Sequence, residues 1–394
     1  MAERSVVVLS GTRTAIGTYG GSLKDVPPTR LAALALGEAV KRSKLEPAQI
    51  GQVFFGHVIH TEPRDMYLAR VAGVEAGLPI DTPALTLNRL CGSGFQAIVS
   101  ASQAILLGDT ETAVAGGAES MSRAIYGLTG LRWGQRMGNA EAIDWMVGGL
   151  SDPFDAVHMG VTAENVAAKY GITRQEQDEF AVESHRRAAA AIANGYFKEQ
   201  IVPVELKTRK GSTFFDTDEH VRAETTIESV SKLRPAFLKE GSVTAGNASG
   251  VNDAGAALVL AEEGFAQKQG LKPLARLVSY AHSGVDPKIM GIGPVPAVQR
   301  ALAKAGLTIE QIDVVEANEA FAAQALAVAK ELRFDPAKTN PNGGGIALGH
   351  PISATGALIT VKALYELQRI GGRYALITMC IGGGQGIAGI FERI

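Results

Sequence analysis

The sequence is short of cysteine, has almost no net charge and contains no long hydrophobic run, and each scarcity removes a class of protein. Two cysteines in 394 residues cannot build the bridge framework of a small secreted domain. Lys and Arg number 38 against 40 Asp and Glu, so no broad basic field is available for nucleic acid or an anionic membrane. No uninterrupted apolar segment approaches the ~18 residues of a membrane span. The opening MAERSVVVLSG lacks the basic start, apolar stretch and small-residue cleavage site of a secretory signal. The expectation is a soluble, cytoplasmic, globular protein with free thiols, no nucleic-acid partner and no membrane.

Glycine, by contrast, is abundant at 46 residues, and the apolar share of 46% can fill a substantial interior over two or three domains. Short runs (VVVLSG, VFFG, TAVAGGAE, then RLVSY, VVEA, ALITMC) alternate with alanine-rich helical stretches, the order of an α/β fold with buried strands. Two long-range echoes occur in the same order. AVKRSKLEPAQIGQVFFG from Ala39 matches ALAKAGLTIEQIDVVEAN from Ala301, and CGSGFQAIVSASQAIL from Cys91 matches GHPISATGALITVKAL from Gly349. A duplicated domain is expected, with the matching helix starts facing a shared interface and His350 in the echo position of Cys91. Between the halves the texture changes: an irregular stretch holds both tryptophans, then a helix follows with a Thr173 to Glu176 capping box and a Gly195 stop. The charged RKGSTFFDTDEHVRAETT after it reads as a solvated loop.

Five positions could do chemistry. Cys91 sits at a presumed helix start, where unpaired N–H groups favour an anion by about 0.3 to 1 kcal/mol and thiolates have lowered pKa values. It is either an activated nucleophile or a small buried hydrophobe. His350, pinned by Gly349 and Pro351, makes a candidate cysteine–histidine pair with it. Cys380 ends a strand-like run before Gly382, Gly383 and Gly384, and is either a strand-end cysteine beside a tight turn or part of an oxyanion loop. Asn318 and Glu319 lie between a strand and a helix, where capping is the default. Gly384, Gly386 and Gly389 fit G-x-G-x-x-G, but the sequence leaves no room after them for the helix, strand and acidic residue of a nucleotide unit. A zinc site from Cys91, His350 and Cys380 is weaker, because no C-x-x-C or H-x-x-x-H spacing is present.

Taken together, NRLCGSG, NEAF, GHPISATG and CIGGGQG, in this order and near these spacings, resemble the thiolase family of acyl-CoA C-acetyltransferases. HMGVTAENVA, KLRPAF and TAGNASG extend the resemblance over essentially the whole chain, nearest to bacterial biosynthetic acetoacetyl-CoA thiolases and β-ketothiolases. It implies an α/β thiolase fold: two duplicated βαβαβαββ-type halves in a layered α/β/α/β/α core, plus an inserted loop domain. The implied divisions are an N-terminal domain 1–119 completed by 250–271, a loop domain 120–249 for CoA binding and oligomerisation, and a C-terminal domain 272–394. The implied activity is reversible Claisen condensation of acetyl-CoA with acetyl-CoA or another short acyl-CoA through an acyl-cysteine, and the reverse thiolysis of a 3-ketoacyl-CoA.

Carried over by motif, the resemblance makes Cys91 the acyl-accepting nucleophile, His350 the group taking its proton, and Cys380 the acid/base at the α-carbon and at the leaving thiol. Asn318 would hold a catalytic water that forms one oxyanion hole with His350, and the N–H groups of Cys91 and Gly382 would form the other. Ser249, His158, Met159, Ala245, Phe237, Ala320, Phe321, Met290 and Leu150 would line the pantetheine channel, with Arg222 near the nucleotide end. Coenzyme A and acyl-CoA enter as substrates, with no permanently bound cofactor and no metal, and a homotetramer built as a dimer of dimers is expected. The chain departs from the family pattern at Ser353, Phe95, His57 and Ile125, where glycine, leucine, asparagine and proline are usual. Serine is tolerable there if φ is negative, and Phe95 would either trim the acyl pocket or repack the core. A ketoacyl synthase-like condensing enzyme is the nearest rival, opposed by the second cysteine, Cys380. A non-catalytic acyl-CoA-binding relative would be expected to lack one of Cys91, His350 and Cys380.

Overall fold

A computed structural model describes residues 4–208 and 211–394. Strand β1 (Val6–Thr14) shows why the strand runs read as continuously apolar. Val6 and Val8 pack into one core, while Val7 and Leu9 pack into another on the opposite face. The first half adds β2 (Gln52–Gly56), β3 (Ala84–Leu87), β4 (Thr112–Ser120) and β5 (Asn252–Glu262). The second half contains β6 (Ala275–Gly284), β7 (Val314–Ala317), β8 (Tyr374–Ile381) and β9 (Gln385–Arg393).

All nine join one mixed sheet in the order β7-β8-β9-β6-β1-β5-β4-β2-β3. The halves meet at a short seam, Val7 against Arg276 and Val8 against Ala275. Outward from that seam the connectivity repeats: β1, β5, β4, β2 on one side and β6, β9, β8, β7 on the other. Even the edge strand β3, parallel to β2, has a remnant in the second half, a parallel bridge from Val315 to Thr339. The duplication legible in the sequence echoes is therefore carried by the sheet itself.

The helices complete five layers. On the outer face of the first half lie α1 (Pro28–Ser43) and α2 (Leu68–Glu75). The second half is covered by α6 (Pro294–Ala305) and α7 (Ala322–Leu332), after α4 (Met159–Tyr170) and α5 (Arg174–Ala193) of the insert. Between the halves run α3 (Ser93–Leu107) and α8 (Thr355–Ile370), with Phe95, Ile98, Leu358 and Val361 buried against strands of both. The two helix starts touch through backbone. A Cβ on Gly94 would lie 2.7 Å from the Ser353 oxygen, and one on Gly356 would lie 2.4 Å from the Phe95 nitrogen, so only glycine permits this approach.

This packing bears on three expectations. The stretch Leu90–Leu107, though interrupted by Gly, Ser and Gln, reaches the length and mean hydropathy of a membrane span. Its apolarity is explained by burial between two sheet halves. Phe95 is fully buried, edge-on to Phe391 with ring centroids 6.3 Å apart, and lies in the central layer rather than in the cluster around Cys91. It repacks the core. Finally, α3 is preceded by a 3-10 turn over Leu90–Gly92 and α8 by one over Ile352–Ala354. In that register the counterpart of Cys91 is Ser353, and His350 lies three residues earlier.

The charged stretch of the insert is not a uniformly solvated loop. Arg209 and Lys210, its first two residues, lie outside the described residues. Gly211–Phe215 pairs with Val204–Thr208 as a hairpin. Asp218 is buried and takes a bidentate bond from the equally buried Arg13, at 2.7 and 2.9 Å, and the Ile16 N–H at 2.9 Å. The capping box at the start of α5 is present: Glu176 N–H donates to Thr173 Oγ1 at 3.2 Å, and Thr173 N–H donates to the Glu176 carboxylate at 2.6 Å. Thr173→Ala is expected to lower stability by about 1 kcal/mol, read from the midpoint of a urea unfolding curve at unchanged slope.

Candidate active site

Cys91 is reached through Leu90, a non-glycine residue at φ 47°, a conformation that costs L-residues ~1–2 kcal/mol. The Leu90 N–H is held by Asn88 Oδ1 at 2.9 Å. The backbone N–H groups of Gly382 and of Cys91 itself act to lower the thiol. Burial nevertheless pushes it up to about 11, outweighing both, with Glu119 adding to the rise. The lowered pKa expected from the helix start is thus overturned. A helix end supplies about 0.3 to 1 kcal/mol, less than the ~1.4 kcal/mol of one pKa step. Ile59, Met121 and Ile352 pack around Cys91, with Met146 and Leu150 at the margin.

His350 follows Gly349, whose φ of 111° and contact with Asn252 leave no room for a side chain. Its backbone N–H donates to Asn252 Oδ1 at 2.9 Å, and its ring Nδ1 lies 2.7 Å from Thr355 Oγ1. Nε2 has only a 3.5 Å contact with Asn318 Nδ2, so this nitrogen is the one open to accept a proton. Burial lowers the imidazole to about 4, keeping it neutral near pH 7. Asn318 does not cap α7: its N–H donates to the Thr378 oxygen at 3.0 Å, and the α7 cap position is Phe321. Its buried Oδ1 has no protein hydrogen-bond partner, a property that fits a site for a water or substrate atom. Glu319 does not cap α7 either. It accepts from Ser184 Oγ and Asn340 Nδ2, each at 2.7 Å, and from the Ile346 N–H at 3.2 Å.

Cys380 lies near the end of β8, opposite Gly386 of β9. The hairpin between them closes over Gly382, Gly383 and Gly384, the last two at φ 78° and 82°. A strand rather than a helix follows Gly384, which removes the nucleotide-loop reading. Burial raises the Cys380 thiol above its ordinary value, and the neighbouring Cys91 raises it further. Among the described residues, no three His, Cys, Asp or Glu side chains come together as a metal site, so the zinc alternative has no geometric support.

Most of the channel residues gather around these thiols. Met159, Met290, Ala320 and Phe321 form one buried cluster with Cys380. His158 stacks on Phe237 at 4.6 Å, and Phe237 meets Phe321 edge-on at 6.1 Å. The Ser249 N–H donates to the Ala320 oxygen at 3.0 Å, and the Met159 N–H donates to the Leu150 oxygen at 2.8 Å. Leu150 belongs to the Cys91 cluster, so this last backbone bond links the two clusters. Arg222 and Ala245 are exposed and outside both clusters. The Arg222 N–H is held by His185 Nδ1 at 3.2 Å. Sequence reasoning missed Asn252, Thr355 and Glu119; only Glu119 left a signal, a carboxylate inside the apolar run TAVAGGAES.

Comparison with known proteins agrees with this geometry. Residues 6–264 match the thiolase N-terminal domain and residues 271–393 the thiolase C-terminal domain. The beta-ketothiolase BktB of Cupriavidus necator is 67% identical, over 99% of this chain and all of that protein. An acetyl-CoA acetyltransferase of Pseudomonas aeruginosa is 51% identical over 98% of each. The crystal structure of the Bacillus anthracis acetyl-CoA acetyltransferase superposes with a TM-score of 0.98 at 49% identity, covering 100% of both chains. Human mitochondrial 3-ketoacyl-CoA thiolase in complex with CoA superposes with a TM-score of 0.96 at 46% identity, over 99% of this chain and 98% of that one. With both domain models matched in order over nearly its full length, the chain belongs to the thiolase family of acyltransferases.

Proposed function

We propose that this thiolase condenses acetyl-CoA with acetyl-CoA or another short acyl-CoA, and cleaves 3-ketoacyl-CoA in reverse, with Cys91, His350 and Cys380 as its reacting groups. The observation that carries this reading is the placement of the Gly382 and Cys91 N–H groups beside the Cys91 sulfur, where both favour its charged form. Donors beside the resting thiol can pass to the oxygen of the thioester formed there. Cys91 attacks the acyl-CoA carbonyl, its proton goes to His350 Nε2, and CoA leaves as the thiol with the proton of Cys380, which is left as the thiolate; His350 returns its proton to Cys91 when the thioester is later broken. Because burial raises the thiol and lowers the imidazole, both groups rest uncharged in the free enzyme, and His350 is free to take the proton.

Cys380 then removes a proton from the methyl carbon of the second acetyl-CoA. The developing enolate oxygen is met by the second donor pair, His350 Nε2–H and a water held by Asn318. The enolate carbon attacks the Cys91 thioester, breaking its C–S bond and releasing 3-ketoacyl-CoA. We assign CoA binding to Ser249, His158, Met159, Phe237, Ala245, Ala320, Phe321, Met290 and Leu150, with Arg222 at the nucleotide end. The loop domain 120–249 would also supply tetramer contacts, which light scattering checks.

Intact-mass and peptide analysis after mixing with acetyl-CoA tests the reading: one acetyl group is expected, on the Cys91 peptide and labile to hydroxylamine. Labelling elsewhere would sink it. The pH dependence follows from the same values. Neutral His350 is the required base, so kcat/KM for thiolysis should hold steady through neutral pH and fall as pH drops through about 4. A limb centred near the ordinary histidine value of 6.5 would show that the ring is solvated.

A further inference from the structure

Glu119, at the end of β4, is fully buried, and among the described residues no lysine or arginine forms an ion pair with it. Such a group is costly unless hydrogen bonds satisfy it. Its two oxygens are used on two different segments. Oε1 accepts the Ile59 N–H at 3.0 Å, and Oε2 accepts the Ser353 N–H at 3.1 Å. Ile59 packs in the cluster that surrounds Cys91. Ser353 lies in the turn that follows His350 and, by the internal repeat, is the counterpart of Cys91. One carboxylate therefore ties the wall beside the nucleophile to the turn beside the histidine, across the junction of the two halves.

The preceding residue reinforces the tie. The Ala118 oxygen accepts from Ser353 Oγ at 2.9 Å and lies 2.9 Å from His57 Nδ1. That histidine nitrogen is also 3.3 Å from Glu119 Oε1. Ser353 and His57 are two of the positions where the sequence departs from the family pattern, and both departures fall on this one strand end. Ser353 is not among the residues with positive φ, so its side chain fits without backbone strain and its hydroxyl supplies a bond that glycine lacks.

We propose that Glu119 is a positioning residue for acylation of Cys91, holding the Ile59 wall and the His350 turn in register, with Ser353 and His57 as this chain's own reinforcement through Ala118. The inference rests on the Cys91–His350 reading, and its test separates the two. Single-turnover acetylation of Cys91 by acetyl-CoA is followed by mass spectrometry in wild type, Glu119→Gln and Ser353→Ala, with steady-state thiolysis and thermal unfolding in parallel. Misplacement of reacting groups by about 1 Å costs on the order of 100-fold, so Glu119→Gln should acetylate about that much more slowly. Ser353→Ala should show a smaller fall, by roughly tenfold, and in both the KM for CoA should stay within about two-fold of wild type.

Because both substitutions act on one strand end, the double variant should lose less than the product of the two single effects. Wild-type acetylation rates in folded Glu119→Gln would overturn the proposal. So would a rate loss matched by an equal rise in KM for CoA, the mark of a generally loosened site. If Glu119→Gln does not fold, Ser353→Ala decides: slowed acetylation at unchanged KM supports the tie, and a wild-type rate overturns it. Absence of an adduct on Cys91 in the wild type would instead defeat the catalytic reading.

Discussion

Cys91→Ala is expected to take up no acetyl group from acetyl-CoA and to turn over more slowly than wild type by on the order of 10⁴-fold or more. The size of the effect follows from the step removed. With no sulfur at position 91 there is no acyl carrier, and the two half-reactions on either side of the thioester have nothing to share. The structural cost should be small by comparison. The missing atom is one sulfur, so loss of packing is worth about 1 kcal/mol.

CoA binding provides the control. Of the residues proposed to bind CoA, Met159, Phe237, Met290, Ala320 and Phe321 cluster with Cys380, and Cys91 belongs to a separate cluster, so the variant should bind CoA as wild type does by calorimetry. If Cys91 were only a small hydrophobe, the alanine variant would keep its adduct and its turnover. If the variant lost CoA binding too, the two thiols would share one pocket more closely than the clusters indicate.

Much of this arrangement was legible beforehand because it depends on local pattern. The strands were readable because both faces of the sheet are covered, as with Val6 and Val8 against Val7 and Leu9 in β1. Residues such as Cys380 and Gly382 were readable because a tight hairpin demands glycine just after the last strand position. What was not legible depends on tertiary contact. The direction of the Cys91 pKa is set by enclosure, which a helix-start pattern does not encode. Asp218 passed for a solvated charge because its partner Arg13 lies 205 residues away.

The misplacement of His350 has a different origin. Glycine spacing shows that a turn opens a helix but not how many residues the turn holds, so the echo was aligned on the glycine before His350 rather than on the 3-10 turn. Corrected by structure, the same echo places Ser353 opposite Cys91, and that placement is what drew Glu119 into the site. The outer CoA residues mark the other limit. Arg222 and Ala245 stay exposed, and their assignment still rests on motif position.

Cys380→Ala is expected to separate the two halves of the reaction. Acetylation of Cys91 should persist within about tenfold of wild type, whereas condensation should fall by roughly 10³-fold, the range of a lost general acid–base group. In the proposed mechanism the first half-reaction needs Cys91, His350 and the Gly382 N–H, none of which the substitution removes, and the leaving thiolate, whose parent thiol has an ordinary pKa of about 8.5, can take its proton from water. The second needs a base beside the methyl carbon, and alanine offers none. Burial holds the Cys380 thiol up, so in the proposed mechanism the base at this position is generated within the site, when Cys380 gives its proton to the departing CoA. Mass spectrometry of the adduct and a coupled assay of 3-ketoacyl-CoA formation read the two rates on one sample. Equal losses in both would assign Cys380 to support of the Cys91 thiol, and unchanged condensation would remove it from the chemistry altogether.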